Sequence, residues 1–472
     1  MGDEARCAGC RVGLLNSIAI GRRAIGAAAA GIDVTSQNVA NANTVGYTRR
    51  RVLTETVDPV QRRGVFVGQG VNVTGVTRAS DRILSGRLVG MAGQHSQSSA
   101  AEETLRTSEA LFDESAGTGL AEVYGRFFDS LSGLTSDPGD IVRRGTVRDA
   151  ARQVATVVNR TAQGLAQAIE GVDIRLADTV SEINAALREI ASLNRAIGRS
   201  GAGLGPGDLL DRRDQLVYAL GETVGATVDL QEDGQATVFI GEHAAVTAGE
   251  ARTVTITEDA AGDAQVFLSA GTGTIRLTDS VAGSVGGRLQ ARSQMQGWAS
   301  DLDSFVVTFA DAMNTQNAAG FDTTGAAGGD LFTYAVGSPA TSLSLAAGYD
   351  ANPRLLAAAG AATAAAGDTT NLQALIDLEN LSTYGATGTL DGGSEIARIV
   401  ADVGASVNTA ATDAEAYGAQ LSDLQTMRDA VAGVDTDEEA IRLVEYQAAY
   451  RAAARVLQVG DELMQTLMSI GA

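Results

Sequence analysis

The chain of 472 residues is long enough for several domains with substantial cores. Hydrophobic residues make up 44% of it and aromatic residues only 4%, so those cores must be built mainly from Ala, Val, Leu and Ile. A net charge of -22 argues against nucleic acid and anionic membranes as partners, and the absence of lysine removes Schiff-base chemistry and the phosphate-loop lysine.

No apolar run approaches the ~18 residues that a spanning helix needs, so no membrane insertion is expected. The start lacks the charged, apolar and small-residue regions of a cleaved secretory signal, and export is expected by another route if it occurs. Cys7-Ala-Gly-Cys10 has no second cysteine pair to complete a metal site, and it stands ahead of the first helix rather than between a strand and a helix as a redox pair would. Residues 1–13 therefore read as a disordered extension. His95 and His243 lie far apart, and no recognisable cluster of carboxylates accompanies them, so no catalytic, cofactor or metal site is expected and an enzyme such as a hydrolase is disfavoured.

In chain order, Ile18, Ile25, Ile32 and Val39 form an apolar stripe on a first helix from Leu14 to about Asn43, with Leu14 and Ala28 on the neighbouring row. Asn41, Asn43, Gly46 and Tyr47 lie in the segment that stops it, where Asn and Gly tolerate positive φ. Val65 to Val73 alternates like a strand pair around Gly68-Gln-Gly70, which is a turn rather than a dinucleotide loop because no third glycine or helix follows. Helix returns from about Asp81 to Ser115. Leu165, Ile169, Val172, Leu176, Val180, Ile183, Leu187, Ile190, Leu193 and Ile197, with Val154 and Val158 upstream, predict a helix of roughly 45 residues, or ~70 Å. Asp208 is placed to cap the next helix, Leu209 to Leu220.

After Gly221 the period falls to two. Short runs at 227–230, 236–240, 253–257, 265–268 and 274–277 predict a small antiparallel β unit. Helix resumes near Gly287 with Trp298, Leu302, Phe305, Phe309 and Met313 as its buried stripe. Residues 319–394, rich in Gly, Ala and Thr, read as a second, looser insert. A helix from Glu395 to Met427 follows, Gly433 breaks it, and Thr436-Asp-Glu-Glu439 reads as a capping box. The final helix carries Ile441, Val444, Ala448, Ala452, Val456, Val459, Leu463 and Leu467 at spacings of three and four. The fold class is thus mainly α with β inserts: an elongated α+β chain with a terminal-helix coiled coil, a long-helix bundle and a small antiparallel β domain. The expected divisions are 14–50 with 430–472, then 51–221 with 285–318 and 395–429, then 222–284, then 319–394.

Gln37-Asn-Val-Ala-Asn-Ala-Asn-Thr-Val-Gly-Tyr-Thr-Arg49 resembles the N-terminal signature of bacterial flagellar axial proteins, the rod, hook and hook-associated components. Asp208-Leu-Leu-Asp-Arg-Arg-Asp-Gln-Leu216, Val238-Phe-Ile-Gly241, Ala326-Ala-Gly-Gly-Asp-Leu-Phe332 and the tail around Glu445-Tyr-Gln-Ala-Ala-Tyr450 are similar to hook-associated members at the hook–filament junction. Residues 1–11 and a comparatively short 319–394 segment depart from that pattern. The resemblance implies a structural protein exported unfolded by the flagellar type III apparatus without a cleaved signal. It would assemble as an extracellular helical ring at the hook–filament junction. Its partners would be further copies of itself, hook protein, the second junction protein and an export chaperone, the last contacting Tyr446 and Tyr450. A flagellar hook or distal rod protein is the alternative. Both terminal stripes, with Asn41, Asn43, Gly46 and Tyr47, are the expected assembly surface; an ordinary intramolecular helix pair is the simpler reading of the same stripes. If neighbours are needed to cover the stripes, folding of the termini is coupled to assembly.

Overall fold

The computed structural model describes residues 2–62, 65–114, 117, 119–199, 207–231, 234–260, 262–363, 367–385 and 387–470, with backbone alone at 2–13, 62 and 470. Helix α1 spans Gly2–Ala40. Residues 2–13 therefore continue the first helix, in place of the unstructured extension expected, while the Cys7 and Cys10 side chains lie outside the description. Four strands follow: β1 (Arg50–Thr56), β2 (Val60–Arg62), β3 (Val65–Val67) and β4 (Val71–Arg78). The expected pairing across Gly68-Gln-Gly70 does not form. Instead β1 pairs antiparallel with β4 from Arg50↔Arg78 to Thr56↔Val71, and β2 pairs with β3 at the far end. Gly70, at φ +83°, turns the chain back along α1 rather than closing a hairpin.

Helix α2 (Arg82–Glu109) is capped by Asp81, whose carboxylate accepts from the amides of Ile83 and Leu84. It is followed by α3 (Leu120–Leu134), α4 (Ile141–Arg199) and α5 (Gly207–Val224). The long helix has 59 residues and starts a full three turns before the expected point, because Val147 and Ala151 extend its buried stripe N-terminally. Asp208 lies inside the first turn of α5, and its carboxylate pairs with Arg50 rather than capping.

The β region holds two antiparallel sheets. One has the order β5-β6-β7-β8 (Thr227–Leu230, Ala236–Ile240, His243–Thr247, Glu250–Ala251). The other has the order β11-β10-β9 (Gly273–Arg276, Ala264–Ala270, Val254–Glu258). β7 and β8 escaped the sequence reading because His243-Ala-Ala-Val-Thr247 lacks the β-branched density of its neighbours. Helix α6 (Gly283–Ala319) then leads into short elements, β12 (Phe332–Thr333), α7 (Pro339–Ser342), β13 (Ser344–Leu345), α8 (Ala347–Ala351) and α9 (Thr370–Asp377). The chain closes with α10 (Gly392–Ala432) and α11 (Thr436–Ile470).

The helical body has two large cores strung along α4 and a small cluster of Leu88, Ala92 and Leu421 between α2 and α10. Leu165 to Ile190 of α4 pack with α2, α5, α10, the first half of α6 and the inner faces of both sheets. Val147 to Ala162 pack with α3, the second half of α6 and the 319–391 segment. The scarce aromatic side chains gather in this second core, where Phe127, Phe128, Phe305, Phe309, Phe332 and Tyr124 form a network of edge, tilted and stacked contacts. Each such ring contributes about 1.5–3 kcal/mol by burial.

The 319–391 segment is closely packed rather than loose. Leu331, Phe332, Leu343, Tyr349, Leu356 and Leu372 are buried on α4 and α6. Buried Asn side chains supply the hydrogen bonds that irregular backbone lacks: Asn317 donates to Gly329 O at 2.7 Å and accepts from Ala357 N at 2.8 Å. Ala and Gly composition looks loose in sequence, yet small residues are what permit this close approach.

Candidate assembly interface

The two chain ends lie together. α1 and α11 pack antiparallel, with Ile18 near Gly460, Gly21 near Leu457 and Gly31 under the Tyr446 ring. Small residues on α1 allow the approach. A Cβ at Gly31 would stand 2.6 Å from Tyr446 Cδ1, and one at Gly21 would stand 3.0 Å from Leu457 Cδ2. Ala28, Val34 and Ala453 are buried in the same seam.

This seam uses a different row of α11 from the one expected. Tyr446, Ala453, Leu457 and Gly460 face α1. Of the expected row, Ile441, Val444, Ala448, Ala452, Val456, Val459 and Leu463 are exposed, Ile441 and Val444 at 62% and 65%, and Leu467 is half-buried. On α1, Leu14, Ile18, Ile25 and Ile32 are half-buried and Val39 is exposed. The 3.6-residue period places two apolar rows side by side on α11, and period alone does not say which one faces its own chain. Tyr446 lies in the seam and Tyr450 is exposed.

A polar clasp closes the base of the pair. Asn38, 1% exposed, accepts from Arg50 N at 3.0 Å and donates to Arg50 O at 2.9 Å, acting as an added strand partner. Its amide also donates to Glu439 Oε2 at 2.9 Å. Arg49 donates to Glu439 Oε1 at 2.7 Å and pairs with Glu438 at 2.9 Å. Glu439 thus serves the clasp. The helix cap falls instead to Asp435, which accepts from the amides of Asp437 and Glu438. The expected capping box does not form, because a buried arginine is a stronger partner for Glu439 than its own chain's amide. Arg49 and then Arg442 hold the Glu438 carboxyl down at about 2, far below the ordinary value of 4.5.

A second ionic cluster ties this end to the helical body. Asp208, Asp211 and Asp214 recur every three residues on one face of α5. Arg78 bridges Asp211 and Asp214, both at 2.7 Å, and Arg50 reaches Asp208 and, at 3.2 Å, Asp211. Arg50 and Arg78 are register partners in the β1–β4 ribbon, so one ribbon end presents both guanidiniums to one helix.

The Asn41–Tyr47 segment fills the corner between these clusters. Gly46 adopts φ +78°, and a Cβ there would stand 2.2 Å from Gln215 Nε2, the group that donates to Val45 O at 2.7 Å. The Tyr47 hydroxyl donates to Asn38 Oδ1 at 2.9 Å, and its ring lies 4.9 Å from the Arg50 guanidinium. Burial raises the Tyr47 pKa, with Arg50 opposing. The Asn41 side chain bonds locally, donating to Gln37 O and accepting from the Thr44 hydroxyl, and Asn43 is exposed. Sequence reasoning missed Asn38, Arg49, Glu439 and Arg78. The signal available was the Asp208, Asp211, Asp214 spacing, too many acids on one helix face to stand without cations.

Comparison with known proteins bears on all three regions. Residues 105–332 match the family described as the flagellar hook-associated protein FlgK helical domain. Residues 18–48 match the flagella basal body rod protein family, and residues 430–470 the flagellar basal body rod FlgEFG protein C-terminal family. Flagellar hook-associated protein 1 of Escherichia coli strain K12 is 27% identical, with 94% of this chain and 98% of the relative covered. The protein of that description in Bacillus subtilis strain 168 is also 27% identical, covering 95% and 96%. The solved flagellar hook junction protein FlgK from Burkholderia pseudomallei superposes with a TM-score of 0.66 at 18% identity, covering 73% of this chain and all of that one, and establishes the fold. Paired terminal helices on an elongated helical body, matched at both ends by rod-protein families, define a flagellar axial protein. Within that class, the chain is similar along almost its whole length to flagellar hook-associated protein 1.

Proposed function

We propose that this chain is a structural subunit of the bacterial flagellum that builds the hook–filament junction by helical self-assembly. The observation that carries the reading is the division of α11 into two apolar rows, one closed on α1 and one exposed from Ile441 to Leu463. An exposed row of this length on a folded chain is an interaction surface. Contacts with other copies, hook protein and the second junction protein account for it, and the hook-associated relatives point to that setting. The expected surface is the terminal pair: Leu14, Ile18, Ile25, Ile32 and Val39 of α1 with the exposed row of α11. Asn41, Asn43, Gly46 and Tyr47 hold the corner at its base.

Export is proposed to precede folding, through the flagellar type III apparatus and without a cleaved signal. In the unfolded chain Tyr446 and Tyr450 are both free for an export chaperone, whatever their later packing. We propose a structural rather than an enzymatic role, in keeping with the hook-associated name of the relatives. The proposed domain divisions follow the terminal pair, the helical body, the β region and the 319–394 segment.

Deleting the chain in flagellated cells tests the reading. Intact hooks without filaments, with unassembled flagellin in the medium, are expected. Loss of hooks would instead identify a hook or distal rod subunit, and normal filaments would overturn both.

A further inference from the structure

The β1–β4 ribbon ends in a tip that stands exposed among the described residues. In β2 and β3, Val60 pairs with Val67 and Gln61 with Phe66. Val65 and Phe66 are 64% and 67% exposed, and Val60 and Val67 are exposed as well. Successive strand residues point to opposite faces, so the tip shows apolar side chains on both. A two-stranded ribbon with no packed face is marginal on its own. A run of Val, Phe and Val on such an edge is a pairing or aggregation hazard unless a partner covers it.

The ribbon is tied to α1. Arg23 donates to Gln69 O at 2.5 Å, and Gly70 meets Ile20. α1 meets the ribbon through Ile20 and Arg23 and meets α11 through Gly21 and Gly31, so it is shared between them. The tip is therefore committed to a strand-and-helix frame that leaves it free, while the outer row of α11 is free on the same chain.

Charge selects between possible occupants. The molecule carries -22 overall, but the tip sequence Gln61-Arg62-Arg63 is basic. Along α11 the last arginine is Arg455; beyond it Asp461 and Glu462 are exposed beside Val456, Val459 and Leu463, and among the described residues neither enters an ion pair. A basic stretch of sequence at the apolar tip and the acidic apolar half of α11 are complementary in charge on one chain. A contact between two different patches on identical subunits is heterologous, and such contacts generate rings or helices rather than closed pairs.

We propose that the β2–β3 tip of one copy seats on the outer face of α11 of a second copy, with Val60, Val65, Phe66 and Val67 against Val456, Val459 and Leu463. The proposal rests on the self-assembly reading above and names the two surfaces that meet. In the assembled junction the strap from β1 to β4 then spans two subunits, anchored on α1 of its own and α11 of the next.

Photo-crosslinking in intact flagella tests it. A benzoylphenylalanine is placed at Phe66 in one strain and at Val459 in another, each strain making only the substituted chain. The expected product from Phe66 has twice the chain mass and joins Phe66 to residues 452–468 of a second copy; Val459 joins residues 60–67. Capture of a second copy by Val459 at other residues, or capture of a different protein by Phe66, overturns the tip-to-helix contact and leaves self-assembly standing. If neither position captures a second copy in filaments of normal length, the self-assembly reading falls along with it.

Discussion

Glu439 joins Asn38 of α1 and Arg49 at the start of the ribbon to its own helix α11. It and Arg49 are both buried, so removing Glu439 takes away Arg49's buried partner and leaves only the exposed Glu438 carboxylate to pair with it. Glu439→Ala is expected to destabilise the terminal pair by about 3–5 kcal/mol, read as lost amide-exchange protection along α11, with α4 unchanged. Protection equal to wild type would show that the clasp is incidental. Glu438 supplies a pH dependence of definite sign. Its folded pKa of about 2 lies below the ordinary 4.5, so its contribution is present above pH 4.5 and is lost as pH falls through about 2. The urea midpoint of the terminal region should therefore drop between pH 5 and pH 2.5, and should drop less in Glu438→Gln; equal drops would remove Glu438 from the account.

The ribbon and α5 form a joint made of ions rather than oil. The two large cores contain no residue from the 41–80 segment or from α11, while Arg50, Arg78, Asp208, Asp211 and Asp214 converge at the crossing. Such a joint holds an angle through a few directional bonds and weakens with salt where it is exposed. Asp211→Asn removes the carboxylate shared by both arginines. Small-angle scattering of the purified chain is expected to show a broader distribution of maximum dimension in this variant, and wild type in high salt should move the same way. An unchanged profile in both would mean that backbone contacts such as Arg49 N to Ala432 O suffice to hold the angle. This joint was partly legible: the three aspartates were visible as a motif, but their partners lie more than a hundred residues away in sequence, and no local period links them.

For the whole molecule, the exposed row of α11 separates folding from assembly. Ile441→Asp with Val459→Asp alters two exposed positions, so the soluble chain should keep its helix content and urea midpoint within ~0.5 kcal/mol. Cells carrying the double variant should make hooks and lack filaments. Normal filaments would move the assembly surface elsewhere on the chain. The two-core body between the termini acts as the rigid spacer. α4, at 59 residues or about 90 Å, runs through both cores and couples them along the long axis.

Periodicity in the sequence was enough to mark the long helices, the β region and the apolar stripes at the two ends, because an apolar stripe every 3.6 or 2 residues follows directly from backbone geometry. The residues around Asn41 to Tyr47 separately carried the resemblance to flagellar axial proteins. Periodicity did not show that β1 pairs with β4 past an intervening hairpin, that Glu439 belongs to Arg49 rather than to a capping box, or that the 319–391 segment is tightly packed. Those outcomes depend on contacts between residues far apart in the chain, where competition between partners decides, and a local pattern holds no record of the competitor. The same holds for α11: its sequence shows two apolar rows, and only the placement of Gly21 and Gly31 on α1 decides which row is buried in the chain and which is left for a neighbour.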